Sequence, residues 1–145
     1  MNEQFPSVFE SEVEPSVIQD CGTKESSFHL IRYKIVPNPP VKGEVVYLKV
    51  EGELKEAVTE GTLKMKVRFG ALKLIDIETD LCEFAASHHA YLPECPISSG
   101  KIYYANGFKV PSELPPGKVT FKVNAEKSNG VSIFCLKGNI EFIKK

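Results

Sequence analysis

The chain has no tryptophan, only two methionines and three histidines. It also has no CxxC pair, which weakens both a zinc ribbon and a thioredoxin-type redox site. No N-x-[ST] sequon occurs, so no N-glycan is expected. No apolar run approaches the roughly 18 residues of a membrane-spanning helix. Charge of one sign is lacking too: the formal net charge is -1, which offers no bulk electrostatic case for nucleic acid. The start, MNEQFPSVFESEVEP, lacks the charged and apolar regions of a signal peptide. A leader, if the protein has one, is expected to have been removed from this chain.

Alternation of apolar and polar residues dominates what is present. The 145 residues, 42% hydrophobic and 26% charged, suit one domain with one core. In GTLKMKVRFG, Leu63, Met65, Val67 and Phe69 alternate with Lys64, Lys66 and Arg68. This is the pattern of a half-buried strand. EVVYLKVEG sets Val46, Leu48 and Val50 on one side, and GKVTFKVNAE does the same for Val119, Phe121, Val123 and Ala125. FHLIRYKIV groups Ile31, Tyr33 and Ile35. KIYYANGFKV groups Ile102, Tyr104, Phe108 and Val110, with Gly107 read as a bulge. The last run, VSIFCLKGNIEFI, carries Phe134, Leu136, Ile140 and Phe142 on one parity. ALKLIDIE changes parity between Leu74 and Ile75, which marks a bulge or a strand that changes sheets.

Turn signals at Pro37–Pro40, Glu60-Gly61, Ser99-Gly100, Pro115–Gly117 and Ser128–Gly130 separate these runs. Seven or eight short strands with regular turns predict an all-β antiparallel sandwich of two sheets. No segment has a convincing helical period, although the 80–94 region has room for one short helical turn. The acidic N-terminal segment, residues 1–15, is expected to be flexible, and 16–145 to form a single domain.

Chemistry concentrates in DLCEFAASHHAYLPECPI, where Cys82 and Cys95 bracket His88 and His89. The residue types fit a zinc site, and a cysteine–histidine nucleophile is a second reading. Adjacent histidines point apart in extended chain, and no third group orients a base. The plainer reading is a disulfide closing a polar loop. The four cysteines allow three pairings.

An ordered set of motifs then becomes recognisable: Asp20-Cys21-Gly22, Cys82, Cys95-Pro96-Ile97, Pro115-Pro116-Gly117 and Phe134-Cys135. Over about residues 17–143 the chain resembles the ML lipid-recognition domain family. VEGELKEAVTEG, CPISSGK and VPSELPPGKVTFKV are closest to its fungal phosphatidylglycerol/phosphatidylinositol transfer branch. VPNPPVKG lacks the extra cysteine pair of the family's animal sterol carrier. The resemblance implies an immunoglobulin-like sandwich with a hydrophobic cavity between its sheets, and bridges Cys21–Cys135 and Cys82–Cys95. It implies a non-enzymatic carrier with no cofactor and no metal, which binds phospholipid or sterol and transfers it between membranes. The alternative is a secreted lipid-recognition or co-receptor protein. Expected partners are the lipid and, transiently, a membrane surface. Nucleic acid is not among them, and the carrier is expected to be a monomer. The expected compartment is extracellular, or the lumen of a lysosome or vacuole. The inward residues implied to line the ligand are Ile31 and Tyr33; Val46, Leu48 and Val50; Leu63, Met65, Val67 and Phe69; Tyr104 and Phe108; and Val119, Phe121 and Val123. Leu74, Val110 and Pro115 are expected near the mouth. Lys64, Lys66, Arg68 and Lys73 read as a basic stripe that is either solvated or docks on anionic lipid.

Overall fold

The computed structural model describes residues 16–88, 93–115 and 117–143. The expectations for residues 1–15, His89 and Pro116 fall outside the described residues. Strands form wherever the alternation is sustained: β1 (Val17–Asp20), β2 (Phe28–Val36), β3 (Val45–Leu54), β4 (Thr62–Phe69), β5 (Leu72–Asp80), β6 (Gly100–Lys109), β7 (Gly117–Glu126) and β8 (Ser132–Phe142). They make a five-stranded sheet, β1-β8-β7-β4-β5, and a three-stranded sheet, β2-β3-β6. Every strand pair is antiparallel. The result is the two-sheet all-β sandwich that the pattern predicts.

Among the described residues there is one helix, α1 (Leu81–Ser87), which follows β5. The signal that sites it is short and polar. Asp80 is its N-cap and accepts from the Glu83 N–H at 3.0 Å, and Asp80…Glu83 has the spacing of a capping box. Apolar periodicity contributes little over so short a helix, which is why the sequence shows room for only a turn.

Three irregularities decide which residues share a face. A register shift between Leu30 and Arg32 displaces Ile31 from the row that Tyr33 and Ile35 occupy. Ile31 is 44% exposed, so its grouping with those two residues is corrected. A second shift, opposite Val67 and Arg68, leaves Leu74 unpaired between Lys73 and Ile75. That is the bulge expected in ALKLIDIE, and β5 stays in its sheet. Gly107, by contrast, is no bulge. It pairs in register with Tyr47, and a Cβ there would meet the Tyr47 ring at 3.0 Å. The glycine makes room for a ring on the sheet surface.

The DCG motif has a structural role. The Asp20 carboxylate accepts from the Gly22 N–H at 2.8 Å and the Leu30 N–H at 2.9 Å, which ties the end of β1 to β2. A Cβ on Gly22 would lie 2.5 Å from the buried Ser26 hydroxyl oxygen. Hydrogen bonds to a charged acceptor contribute about 1.5–3 kcal/mol. Asp20→Ala is therefore expected to cost about 1–3 kcal/mol, read as a lower urea midpoint with an unchanged slope. An unchanged midpoint would contradict this role for the carboxylate.

Candidate functional site

The fully buried core occupies one end of the sandwich. Leu54, Val58, Leu63, Leu81, Ile97, Ala125 and Ile133 form a single cluster. It joins the end of β3, the start of β4, α1, the approach to β6, the end of β7 and the start of β8. Phe28 of the three-stranded sheet meets Phe134 of the five-stranded sheet edge-on at 6.4 Å. Here the two inner faces interdigitate and exclude water.

Both disulfides reinforce the fold. Cys82–Cys95 ties α1 to the segment ahead of β6, and Cys21–Cys135 ties β1 to β8. The bonded sulfurs leave no thiolate for zinc or for nucleophilic attack. His88 stacks on Phe84 with ring centroids 4.0 Å apart, and its Nδ1 lies 3.0 Å from the Phe84 carbonyl oxygen. No metal-type cluster of three or more His, Cys, Asp or Glu occurs among the described residues.

Away from that end the same inner faces are not filled. On the three-stranded sheet the register aligns Tyr33, Val50 and Tyr104 in one row, Ile35, Leu48 and Asn106 in the next, then Val46 with Phe108. Opposite them, Met65 aligns with Val123 and Ile77, Val67 with Phe121 and Ile75, and Phe69 with Val119 and Leu72. Among these residues only Ile35 is buried. The others are half-buried, and on β5 Leu72, Ile75 and Ile77 are 63%, 39% and 41% exposed. Burial of Ile18 and Ile35 shuts the β1–β2–β8 side. Among the described residues the β5–β6 side, where both sheets end, stays open. The structure therefore brings most of the expected lining into two facing apolar rows. Ile31 is outside them. Leu74 sits exposed in its bulge, Val110 is buried at 3% exposure, and Pro115 is exposed. The same inner face also carries Leu136, Ile140 and Phe142 on β8, which keep one parity, and Leu72, Ile75 and Ile77 on β5, whose parity changes at the bulge; the family resemblance does not single these six out.

These rows hold no charged side chain. Their polar members are Tyr33, Tyr104 and Asn106, and the Asn106 amide oxygen is already engaged by the Gly107 N–H at 2.8 Å. Ordinary sandwich faces close to about 10 Å and interdigitate. Exposed apolar surface costs about 25 cal/mol per Å². Apolar inner rows left half-exposed are thus unfavourable empty and favour an apolar occupant.

An open β-sandwich, closed at one end and along one side, with inner rows that hold no charged side chain and the buried Lys42 outside them between β2 and β3, is the class of protein that the fold and the cleft define. The ML domain family model matches residues 15–142, and the chain belongs to that family. The phosphatidylglycerol/phosphatidylinositol transfer protein of Mycosarcoma maydis is 31% identical over 123 residues. That match covers 84% of this chain and 63% of the relative, so the chain spans less than two thirds of that protein. The protein of the same name from Kluyveromyces lactis is 34% identical, with 88% and 75% covered. Two solved structures share the fold. The Niemann–Pick type C2 protein of the Japanese carpenter ant has a TM-score of 0.54 at 15% identity, covering 88% of this chain and 99% of that one. Chicken MD-1 complexed with lipid IVa has 0.54 at 14%, covering 87% and 88%.

Proposed function

We propose that the protein is a non-enzymatic carrier that takes the acyl chains of a phospholipid into the cleft and moves the lipid between membranes. The observation that carries this reading is the pair of half-exposed apolar rows, which hold no charged side chain and open toward the β5–β6 side. Each buried methylene contributes about 0.8 kcal/mol, so about ten of them supply about 8 kcal/mol without a specific polar contact. With no charge inside the rows, a phosphate headgroup stays at the open β5–β6 side. Tyr33, Val46, Leu48, Val50, Tyr104 and Phe108 form one wall for the chains, and Met65, Val67, Phe69, Val119, Phe121 and Val123 form the other. Leu63 belongs to the filled end. The names of the relatives favour phosphatidylglycerol or phosphatidylinositol over sterol as the ligand. The two disulfides favour an oxidising compartment, outside the cell or within a lysosome or vacuole.

Native mass spectrometry of the purified protein, followed by lipid extraction of the same sample, tests this reading. The expected result is a monomer carrying one phospholipid. A chain with no lipid, which also takes none up from phosphatidylglycerol or sterol vesicles, would defeat the proposal.

A further inference from the structure

The outer face of the five-stranded sheet collects charge across strands, where a linear reading does not see it. The stripe read along β4 dissolves in part: Lys64 lies 3.9 Å from Glu126, and Lys73 lies 3.1 Å from Asp76. In its place, one register row carries Lys66 on β4, Lys122 on β7 and Lys137 on β8. Arg68 stands one row further along β4. All four are exposed, and among the described residues none has a carboxylate within salt-bridge distance. Asp76, the residue of β5 next to Lys66 in the row, is engaged by Lys73. The Lys73 hydrogen bond holds its carboxyl below the usual range, with lesser help from Lys66 and Arg68. Neighbouring rows are balanced, with Lys118 opposite Glu141 and Lys64 beside Glu126. The excess is therefore confined to the centre of the sheet.

Like charges directly opposite on adjacent strands destabilise a sheet. Three in a row weaken the free protein unless an anionic surface offsets them. At the margin of the same sheet Leu74, unpaired in its bulge, is 49% exposed. A flat basic field with an apolar side chain at its margin complements an anionic bilayer better than it complements an acidic polymer, which offers nothing to Leu74. We propose that this sheet face docks on anionic phospholipid surfaces through Lys66, Arg68, Lys122 and Lys137. The inference deepens the proposed carrier function, because such docking sets the β5 margin, and with it the open side of the cleft, against the lipid.

Vesicle co-sedimentation tests it, with phosphatidylcholine alone and with phosphatidylcholine mixed with phosphatidylglycerol. Wild type is expected to bind the anionic vesicles at low salt and to release them at about 1 M salt, where the screening length falls to about 3 Å. K66Q/K122Q/K137Q should bind them on the order of a hundredfold more weakly, about fivefold per lysine. K34Q/K49Q/K109Q, on the outer face of the other sheet, carries the same change in net charge and should keep most of the binding. Removing the like charges should leave the melting temperature of the first variant no lower than that of wild type. Equal binding to both vesicle types, or equal losses in the two variants, would overturn the docking face. So would retention on heparin without vesicle binding. A protein that carries lipid but docks on no vesicle refutes this inference alone. One that docks but never carries lipid refutes the carrier function alone.

Discussion

A Cys21→Ala/Cys135→Ala double variant is expected to lose about 4–5 kcal/mol of stability, the larger loss of the two disulfides. The bridge spans 114 residues, and the loop-entropy model assigns roughly 4.7 kcal/mol to a loop of about 100. Native domains retain only about 5–15 kcal/mol in total, so this variant should stand near the edge of unfolding at room temperature. The structure adds a local reason. β1 has four residues at the edge of its sheet, and the Cys21 N–H donates to the Cys135 carbonyl at 2.9 Å where the bridge closes. Without the bridge, β1 is held by that short ladder and by the Asp20 contacts to the start of β2. Cys82–Cys95 spans 13 residues, for which the same model gives about 3 kcal/mol. It anchors α1 beside a core that Leu81 already fills. Urea denaturation of the two double variants measures the order directly. A larger loss from the short bridge would mean that α1, rather than β1, is the element that most needs a covalent tether.

Much of the architecture is legible because a strand between a core and water must alternate, and these strands do. The errors fall where the period is broken by something that the residues themselves do not encode. Ile31 alternates correctly with Tyr33 in the sequence, yet a register shift in the pairing of β2 with β3 removes it from the row. Leu74 is legible as a bulge because apolar residues on both sides of it change parity. Gly107 misleads, since an interior glycine signals either a bulge or a close approach, and only the Tyr47 ring above it decides between them. The basic cluster is invisible along the chain. Lys122 and Lys137 each sit alone among apolar neighbours, and only the pairing of β4 with β7 and of β7 with β8 brings them beside Lys66. The Cys82–Cys95 bridge is legible as the plainer reading of its loop, while the full pairing, with Cys21–Cys135, is implied by the family resemblance. Least legible is the cleft itself. Leu63 and Val67 lie on one strand and one parity, and nothing in their identity says that one is packed and the other half-open. That difference arises because the buried cluster gathers at one end of the sandwich, while the rows beyond it stay half-buried.

The contrast makes β4 its own control. Leu63 is 1% exposed within the closed cluster, so Leu63→Ala should create a cavity and cost about 2–5 kcal/mol, with the lipid load unchanged. Val67 lies four residues further along the same face, half-buried and paired with Ile75 and Phe121. In an empty cleft the carboxylate of Val67→Asp can remain hydrated, and its stability cost should stay near 1 kcal/mol, as for a substitution outside the packed core. An acyl chain lying against it would have to strip that hydration, at several kcal/mol. The expected loss of lipid is therefore a hundredfold or more, since each 1.4 kcal/mol is about tenfold. Urea midpoints and native mass spectra of the two variants should move in opposite senses: Leu63→Ala unstable but loaded, Val67→Asp stable but empty. If Val67→Asp destabilises as much as Leu63→Ala, the sheets are packed at both ends and the lipid must lie elsewhere. If it is stable and still fully loaded, the chains do not pass Val67, and the wall formed by β4 and β7 is not the one that holds them.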